Sequence, residues 1–79
     1  MIPYVIFEMQ TDRDGKTAHV TPVDFTDETE AWSAYYLTLS YAIKSTVYMH
    51  TVMLCTADGR MIDSKCYMHG VNDVPEVEE

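Results

Sequence analysis

Four side chains of the types that bind metal ions lie close together in the second half of the chain. They are His50, Cys55, Cys66 and His69, and two cysteines with two histidines are the ligands of many structural zinc sites. If this region forms two paired strands, His50 and Cys55 lie on one strand and Cys66 and His69 on the other. Within each strand the two residues are an odd number of positions apart, so their side chains point to opposite faces of the sheet. Without a bulge, the four ligands therefore cannot converge on one ion.

A smaller metal site remains open as an alternative. His50 and His69 fall on the same face of the expected hairpin, where they are either ordinary surface imidazoles or a two-histidine metal contact. Cys55 and Cys66 lie about four residues, or roughly 13 Å, apart along the sheet, which is too far for a disulfide. We expect both thiols to be buried as small apolar groups, and we expect no cofactor.

An enzyme is the second alternative that these residues leave open. His50, Asp63, Tyr67 and His69 can form a polar cluster on one sheet face. However, the sequence lacks a nucleophile elbow, a glycine-rich phosphate loop and an acid pair, and a flat sheet surface provides no pocket that excludes water. We therefore expect a non-enzymatic protein.

One helix is expected to position these residues, over 27–44. Its N-terminus is marked by Asp27 as N-cap with Glu30 three residues later, and acids there suit the positive end of the helix dipole. Its apolar residues recur at helical spacing and predict a stripe that faces the core. That stripe comprises Trp32, Tyr35, Tyr36, Leu39 and Ile43.

Two strand hairpins are expected to flank the helix, each turning at an Asp-Gly pair that favours a two-residue type I′ loop. In the first, Asp14-Gly15 pairs Thr11 with Ala18, and Pro22 marks an edge strand because it cannot donate a ladder hydrogen bond. The faces predicted to meet the helix comprise Val5, Phe7, Met9, Ala18 and Val20 in the first hairpin and Met49, Met53, Cys55, Ile62, Cys66 and Met68 in the second, around Asp58-Gly59.

The order ββαββ predicts an α+β fold, a four-stranded antiparallel sheet with one helix packed on one face. A right-handed crossover favours the strand order 2-1-3-4. We expect a single domain over 1–70, followed by an acidic disordered tail over 71–79.

Composition limits the kinds of partner. The 79 residues include thirteen acids and five bases, for a formal net charge of -8, and 47% are hydrophobic. Such a chain folds, but its field repels nucleic acid and anionic membranes, so basic proteins are the expected partners. The N-terminus lacks a charged start and a long apolar run, so we expect a cytoplasmic protein without a signal peptide or membrane span.

From the helix onward the sequence resembles small acidic proteins encoded on phages and conjugative elements of gut clostridia. The matching features are the acidic helix start, Tyr35-Tyr36, Ser45 after the helix, His50 in a strand, Asp58-Gly59-Arg60, and Tyr67 with His69 at the strand end. Small acidic proteins of such elements are similar to anti-CRISPR inhibitors, which occupy basic surfaces of a nuclease. By analogy, the resemblance implies that this chain binds a CRISPR effector nuclease.

The residues expected to bind a partner are acids in loops and at the helix start, together with apolar side chains on the sheet face that the helix leaves uncovered. The same face, or an outer helix patch with Leu37 and Tyr41, could instead mediate a homodimer. The predicted partner-binding residues are Asp12, Asp14, Asp24, Asp27, Glu28, Glu30, Tyr4, Val52, Leu54 and Tyr67.

Overall fold

A computed structural model describes residues 1–69 of the chain and shows four strands and one helix in the order ββαββ. The predicted α+β architecture is confirmed, whereas the predicted acidic tail lies outside the described residues. The elements are β1 (Tyr4–Thr11), β2 (Thr17–Phe25), α1 (Glu28–Ala42), β3 (Met49–Thr56) and β4 (Met61–Met68).

The four strands form one antiparallel sheet in the order β2-β1-β3-β4. This is the predicted order, and it places β1 and β3 in the centre although they are far apart in sequence. Pro22 lies in β2, at an edge, where the missing N–H leaves no gap in a central ladder. The sheet therefore depends on the pairing of β1 with β3, in which Tyr4 lies opposite Thr56 and Thr11 opposite Met49.

The helix begins and ends close to the predicted positions. The Asp27 side chain accepts a hydrogen bond from the Glu30 N–H at 2.9 Å, as an N-cap does. Glu28 and Glu30 add negative charge in the first turn, where the helix dipole favours it. At the other end, the Ile43 N–H still donates to the Leu39 carbonyl at 2.9 Å.

The helix covers the sheet face opposite to the predicted one. Val52 and Leu54 are fully buried and Ile6 is 6% exposed, whereas Phe7, predicted to be inside, is 37% exposed. Neither face of the central strands is wholly polar, so alternation along each strand did not decide which face the helix would cover. The buried cluster comprises Ile6, Ala31, Tyr35, Leu39, Ala42, Val52 and Leu54.

The helix is also rotated relative to the predicted stripe. Tyr35 and Leu39 are buried as expected, but Tyr36 is 60% and Ile43 55% exposed, and Trp32 is only partly buried. The remaining buried positions are Ala31 and Ala42. A stripe chosen by the largest side chains misses them, although small residues allow the helix to lie close to the sheet.

Both hairpin loops have three residues, so the predicted type I′ turns are wrong. Asp12 N–H donates to the Lys16 carbonyl at 2.9 Å, and Thr56 N–H donates to the Arg60 carbonyl at 2.8 Å. Within residues 1–69 the positive φ angles belong to glycines alone, 86° at Gly15 and 98° at Gly59. A type I′ turn would also require a positive φ at each aspartate.

The longer loops shift the strand pairing by one residue near each turn. Thr11 lies opposite Thr17 rather than Ala18, and Cys55 lies opposite Met61 rather than Ile62. An irregularity between Ile6 and Glu8, and another between Leu54 and Cys55, restore the predicted pairing farther from the loops. Thus Met53 lies opposite Ser64 and Met49 opposite Met68, as expected.

Among the described residues, no helix is both long and apolar enough to cross a membrane.

Candidate functional site

Five acidic residues gather at one end of the sheet, which we call the acidic end. Strand pairing explains this: Phe25 at the end of β2 lies opposite Tyr4, which in turn lies opposite Thr56 before the β3–β4 loop. The β2–α1 connection and the β3–β4 loop therefore lie at the same end of the sheet. The acidic end comprises Asp24, Asp27, Glu28, Glu30 and Asp58, with Arg60 as the base of the same loop.

The acids Asp12 and Asp14 lie at the opposite end, in the β1–β2 loop. The Asp12 carboxylate accepts the Asp14 N–H at 2.9 Å and the Lys16 N–H at 3.0 Å, so it holds the turn. The Arg13 guanidinium lies 5.0 Å from the Tyr48 ring centroid, a cation–π distance. The six predicted partner-binding acids thus divide into two groups, and two of them, Asp12 and Asp27, also stabilise local structure.

The structure corrects the apolar part of the predicted partner-binding set. Val52 and Leu54 are fully buried under the helix and cannot contact a partner. Tyr4 and Tyr67 pack against the same core at partial burial. The reason is that the helix packs on the sheet face that was predicted to be uncovered. It covers Tyr4, Val52, Leu54 and Tyr67 and leaves their neighbours along the strands uncovered.

The uncovered sheet surface, which we call the open face, is apolar and rich in sulfur. Alternation along the strands assigns its members, because side chains directly opposite each other share a face. No element among residues 1–69 covers it. Its apolar and sulfur-containing members are Val5, Phe7, Met9, Met49, Met53, Cys55, Met61, Cys66 and Met68.

A shallow apolar hollow lies on the part of the open face near β2. It has a volume of about 340 Å³. Its lining residues are Phe7, Glu8 and Met9 from β1, His19, Val20 and Pro22 from β2, and Met53 from β3. Asp24, opposite Val5, brings one residue of the acidic end onto this face. An apolar depression beside acids suits a partner with both apolar and basic groups.

A chain of three polar side chains crosses the covered face near the end of the helix. His50 is 3% exposed, and its ring bonds to Ser45 Oγ through Nδ1 at 2.9 Å and to Glu8 Oε2 through Nε2 at 2.5 Å. With Glu8 ionised, Nε2 donates to the carboxylate, and in the neutral imidazole Nδ1 accepts a hydrogen bond from the Ser45 hydroxyl. Both ring nitrogens of this buried histidine are therefore satisfied.

Hydroxyl, imidazole and carboxylate in this order are the groups of a serine hydrolase, but their surroundings favour a structural role. Nucleophilic catalysis needs a reachable hydroxyl and donors aimed at an oxyanion. The Ser45 N–H, one such candidate donor, is already bonded to the Ala42 carbonyl at 3.2 Å. These hydrogen bonds join β1, β3 and the segment after α1.

His69 joins β4 to the helix rather than to His50. Its Nε2 donates at 2.8 Å to the Ala42 carbonyl at the end of the helix, which also accepts the Ser45 N–H. Because His50 is bonded to Glu8 and Ser45, the alternative two-histidine metal site is not assembled. Within residues 1–69, no three histidine, cysteine, aspartate or glutamate side chains converge on a metal position.

A larger cleft separates the β1–β2 loop from the segment after the helix. Its volume is about 1080 Å³. Its lining includes the acids Asp12 and Asp14 and the bases Arg13 and Lys16, together with Ser45, Tyr48 and His69. The cleft is therefore mixed in charge, unlike the acidic end.

Within residues 1–69, the pKa values of Tyr35 and Asp58 are shifted. Burial raises the pKa of the fully buried Tyr35 hydroxyl far above its usual value, and the negative charge of Asp63 adds to the effect. That hydroxyl lies near Asp63, but it makes no hydrogen bond of ordinary geometry within the described chain. In the β3–β4 loop, the hydrogen bond from the Thr56 hydroxyl lowers the pKa of the exposed Asp58 carboxyl.

Sequence reasoning missed the Glu8–His50–Ser45 chain because Glu8 and His50 are 42 positions apart. Gln10, not Glu8, lies directly opposite His50. Only the pairing of β1 with β3 brings the carboxylate and imidazole together. The available signal was alternation, which places Glu8 on the Tyr4 face of its strand and His50 on the Val52 face of its strand.

Comparison with protein families, curated proteins and solved structures found no significant match to this chain.

Proposed function

We propose that this chain is a non-enzymatic interaction protein that binds a basic protein in the cytoplasm. The observation that carries the proposal is the juxtaposition of the acidic end with an open apolar face. Charge at the acidic end attracts and orients a basic partner, and the apolar hollow contributes contact area from which water is displaced. Asp24 lies where the two surfaces meet.

The acidic end can act as a substitute for nucleic-acid phosphates. Three of its carboxylates, Asp27, Glu28 and Glu30, lie within the first turn or cap of one helix. Asp24 and Asp58 approach the same end from two other elements. Carboxylates held by rigid elements can pair with arginine side chains that otherwise bind phosphate. By analogy with the phage and mobile-element proteins that the chain resembles, a CRISPR effector nuclease is the first such partner to test.

Three acids can be neutralised to test the charged surface. We expect Asp24→Asn, Glu28→Gln and Glu30→Gln together to weaken binding to a guide-loaded CRISPR effector nuclease, and to restore its DNA cleavage. Asp27 is left intact because it caps the helix. The matched control is Glu76→Gln, Glu78→Gln and Glu79→Gln, which changes net charge by the same amount. Binding is measured by calorimetry at two salt concentrations, because screening weakens such contacts.

The two triple variants separate a defined surface from general acidity. Loss of binding in the helix-start variant alone supports the proposal. Equal loss in both variants, or no retention of the nuclease at low salt, contradicts it. Phe7→Ser tests the apolar contribution, with Leu37→Ser on the outer side of the helix as control, since Phe7 is 37% and Leu37 55% exposed.

A further inference from the structure

The sulfur atoms of the described chain are concentrated on the open face. The protein has six methionines and two cysteines, and strand pairing places all of them except Met1 on this side of the sheet. Sulfur therefore dominates the chemistry that the open face offers to solvent.

Two cysteine–methionine pairs stand out within this face. Cys55 Sγ lies 4.0 Å from Met61 Sδ across β3 and β4, and Cys66 Sγ lies 4.0 Å from Met68 Sδ along β4. Both methionines are accessible, Met61 at 52% and Met68 at 43% exposure. Both cysteines are free thiols.

The separation within each pair suits a shared metal ion. With metal–sulfur bonds of about 2.3 Å, two sulfur atoms 4.0 Å apart bind one ion at an S–metal–S angle of about 120°. That angle belongs to trigonal coordination, which leaves a third position open.

A methionine is available near each pair for that third position. Met53 precedes Cys55 by two residues on the same strand face, and Met49 lies opposite Met68. Beside the second pair, the Thr51 hydroxyl donates to Cys66 Sγ at 3.4 Å. Each site thus offers one cysteine sulfur and two thioether sulfurs.

We propose that the open face binds two Cu(I) ions, one at Cys55–Met61–Met53 and one at Cys66–Met68–Met49. Soft thiolate and thioether ligands select Cu(I) over harder ions. On binding, each thiol releases its proton, the sulfur bonds to the ion, and the oxidation state of copper does not change. Accessible ligands allow the ion to be transferred to and from other thiols.

Stoichiometry tests the two sites directly. Anaerobic titration of the reduced protein with Cu(I) held by the coloured chelator bicinchoninate is expected to transfer two ions per chain. Cys55→Ser and Cys66→Ser are each expected to take up one ion, and the double variant none. Two ions retained by the double variant would overturn the proposal, as would a metal-bridged dimer in native mass spectrometry that holds each ion between two chains.

The thioether ligands need a separate test, because thiols bind Cu(I) by themselves. Met61→Leu with Met68→Leu removes both sulfur atoms and conserves apolar volume. We expect this variant to lose both ions to bicinchoninate at concentrations where the original chain keeps them. Leu37→Met on the outer helix surface is the control and is expected to change nothing. Equal retention by the leucine variant and the original chain would contradict the assigned pairs.

Discussion

At the scale of single residues, the buried polar groups differ in how well they are satisfied. His50 is 3% exposed and bonds through both ring nitrogens, whereas the Tyr35 hydroxyl is buried without a hydrogen-bond partner in the part of the chain that the structure describes. Removing one partner of a buried hydrogen bond destabilises the folded protein, whereas deleting a buried polar group that has no partner costs little stability. Opposite responses to mutation are therefore expected at these two positions.

Replacing His50 by leucine should lower the free energy of unfolding by about 1–3 kcal/mol, because the partly buried Glu8 carboxylate loses its donor. Urea denaturation followed by circular dichroism measures the change. His19→Leu is the control, since His19 is exposed on the edge strand, and it should stay within about 0.5 kcal/mol of the original chain. Equal effects at both histidines would contradict the role assigned to the Glu8–His50–Ser45 chain.

The raised pKa of Tyr35 predicts how stability depends on alkaline pH. In the unfolded chain tyrosine ionises near pH 10, whereas burial raises the pKa of Tyr35 in the folded protein. The stabilising contribution is therefore complete below about pH 10 and is lost above it, as the unfolded state releases its proton. Tyr35→Phe should reduce this alkaline loss, measured by urea denaturation at rising pH. Tyr36→Phe, at an exposed position, should leave the loss unchanged.

At the scale of the secondary structure elements, one stripe of the helix faces the core. Leu39 is 8% exposed, whereas Leu37 on the same helix is 55% exposed. Leu39→Ala should cost about 2–5 kcal/mol, and Leu37→Ala should cost less than about 0.5 kcal/mol. Thermal melting of the two variants tests the orientation of the helix. If the buried stripe were rotated by two residues, Leu37→Ala would be the more destabilising change.

The helix cap provides a second prediction at this scale. Asp27→Ala removes the acceptor for the Glu30 N–H and should cost about 0.5–2 kcal/mol. Asp27→Asn keeps the acceptor and removes the charge, so it should cost less than the alanine variant. If the two variants lost the same stability in urea denaturation, charge at the helix dipole rather than the hydrogen bond would hold this end.

At the scale of the whole molecule, the net charge of -8 is unevenly placed. The acidic end concentrates five carboxylates, so their mutual repulsion should destabilise the folded chain at low ionic strength. We expect the melting temperature to rise as sodium chloride screens this repulsion. The variant with Asp24→Asn, Glu28→Gln and Glu30→Gln should show a smaller rise. A melting temperature that is independent of salt would contradict this distribution of charge.

Local signals in the sequence were sufficient for the order of elements, the Asp27 cap, the edge position of Pro22 and the two hairpins. These features depend on residues close together in the chain, through capping hydrogen bonds, helical periodicity and the conformational freedom of Gly15 and Gly59. The same local signals indicated where each turn lies, but they did not distinguish loops of two residues from loops of three. That difference depends on how the flanking strands pair.

Which sheet face meets the helix was decided only in the tertiary structure. Both faces of β1 and β3 carry large apolar groups, so the choice depends on how a whole helix fits the sheet, with Ala31 and Ala42 allowing close approach over Ile6 and Leu54. That choice buried Val52 and Leu54 and left Phe7 exposed, while the pairing of β1 with β3 brought Glu8 to His50. The packing energy depends on how well the whole helix surface fits the whole sheet face, and the pattern of residues along one strand does not contain that information.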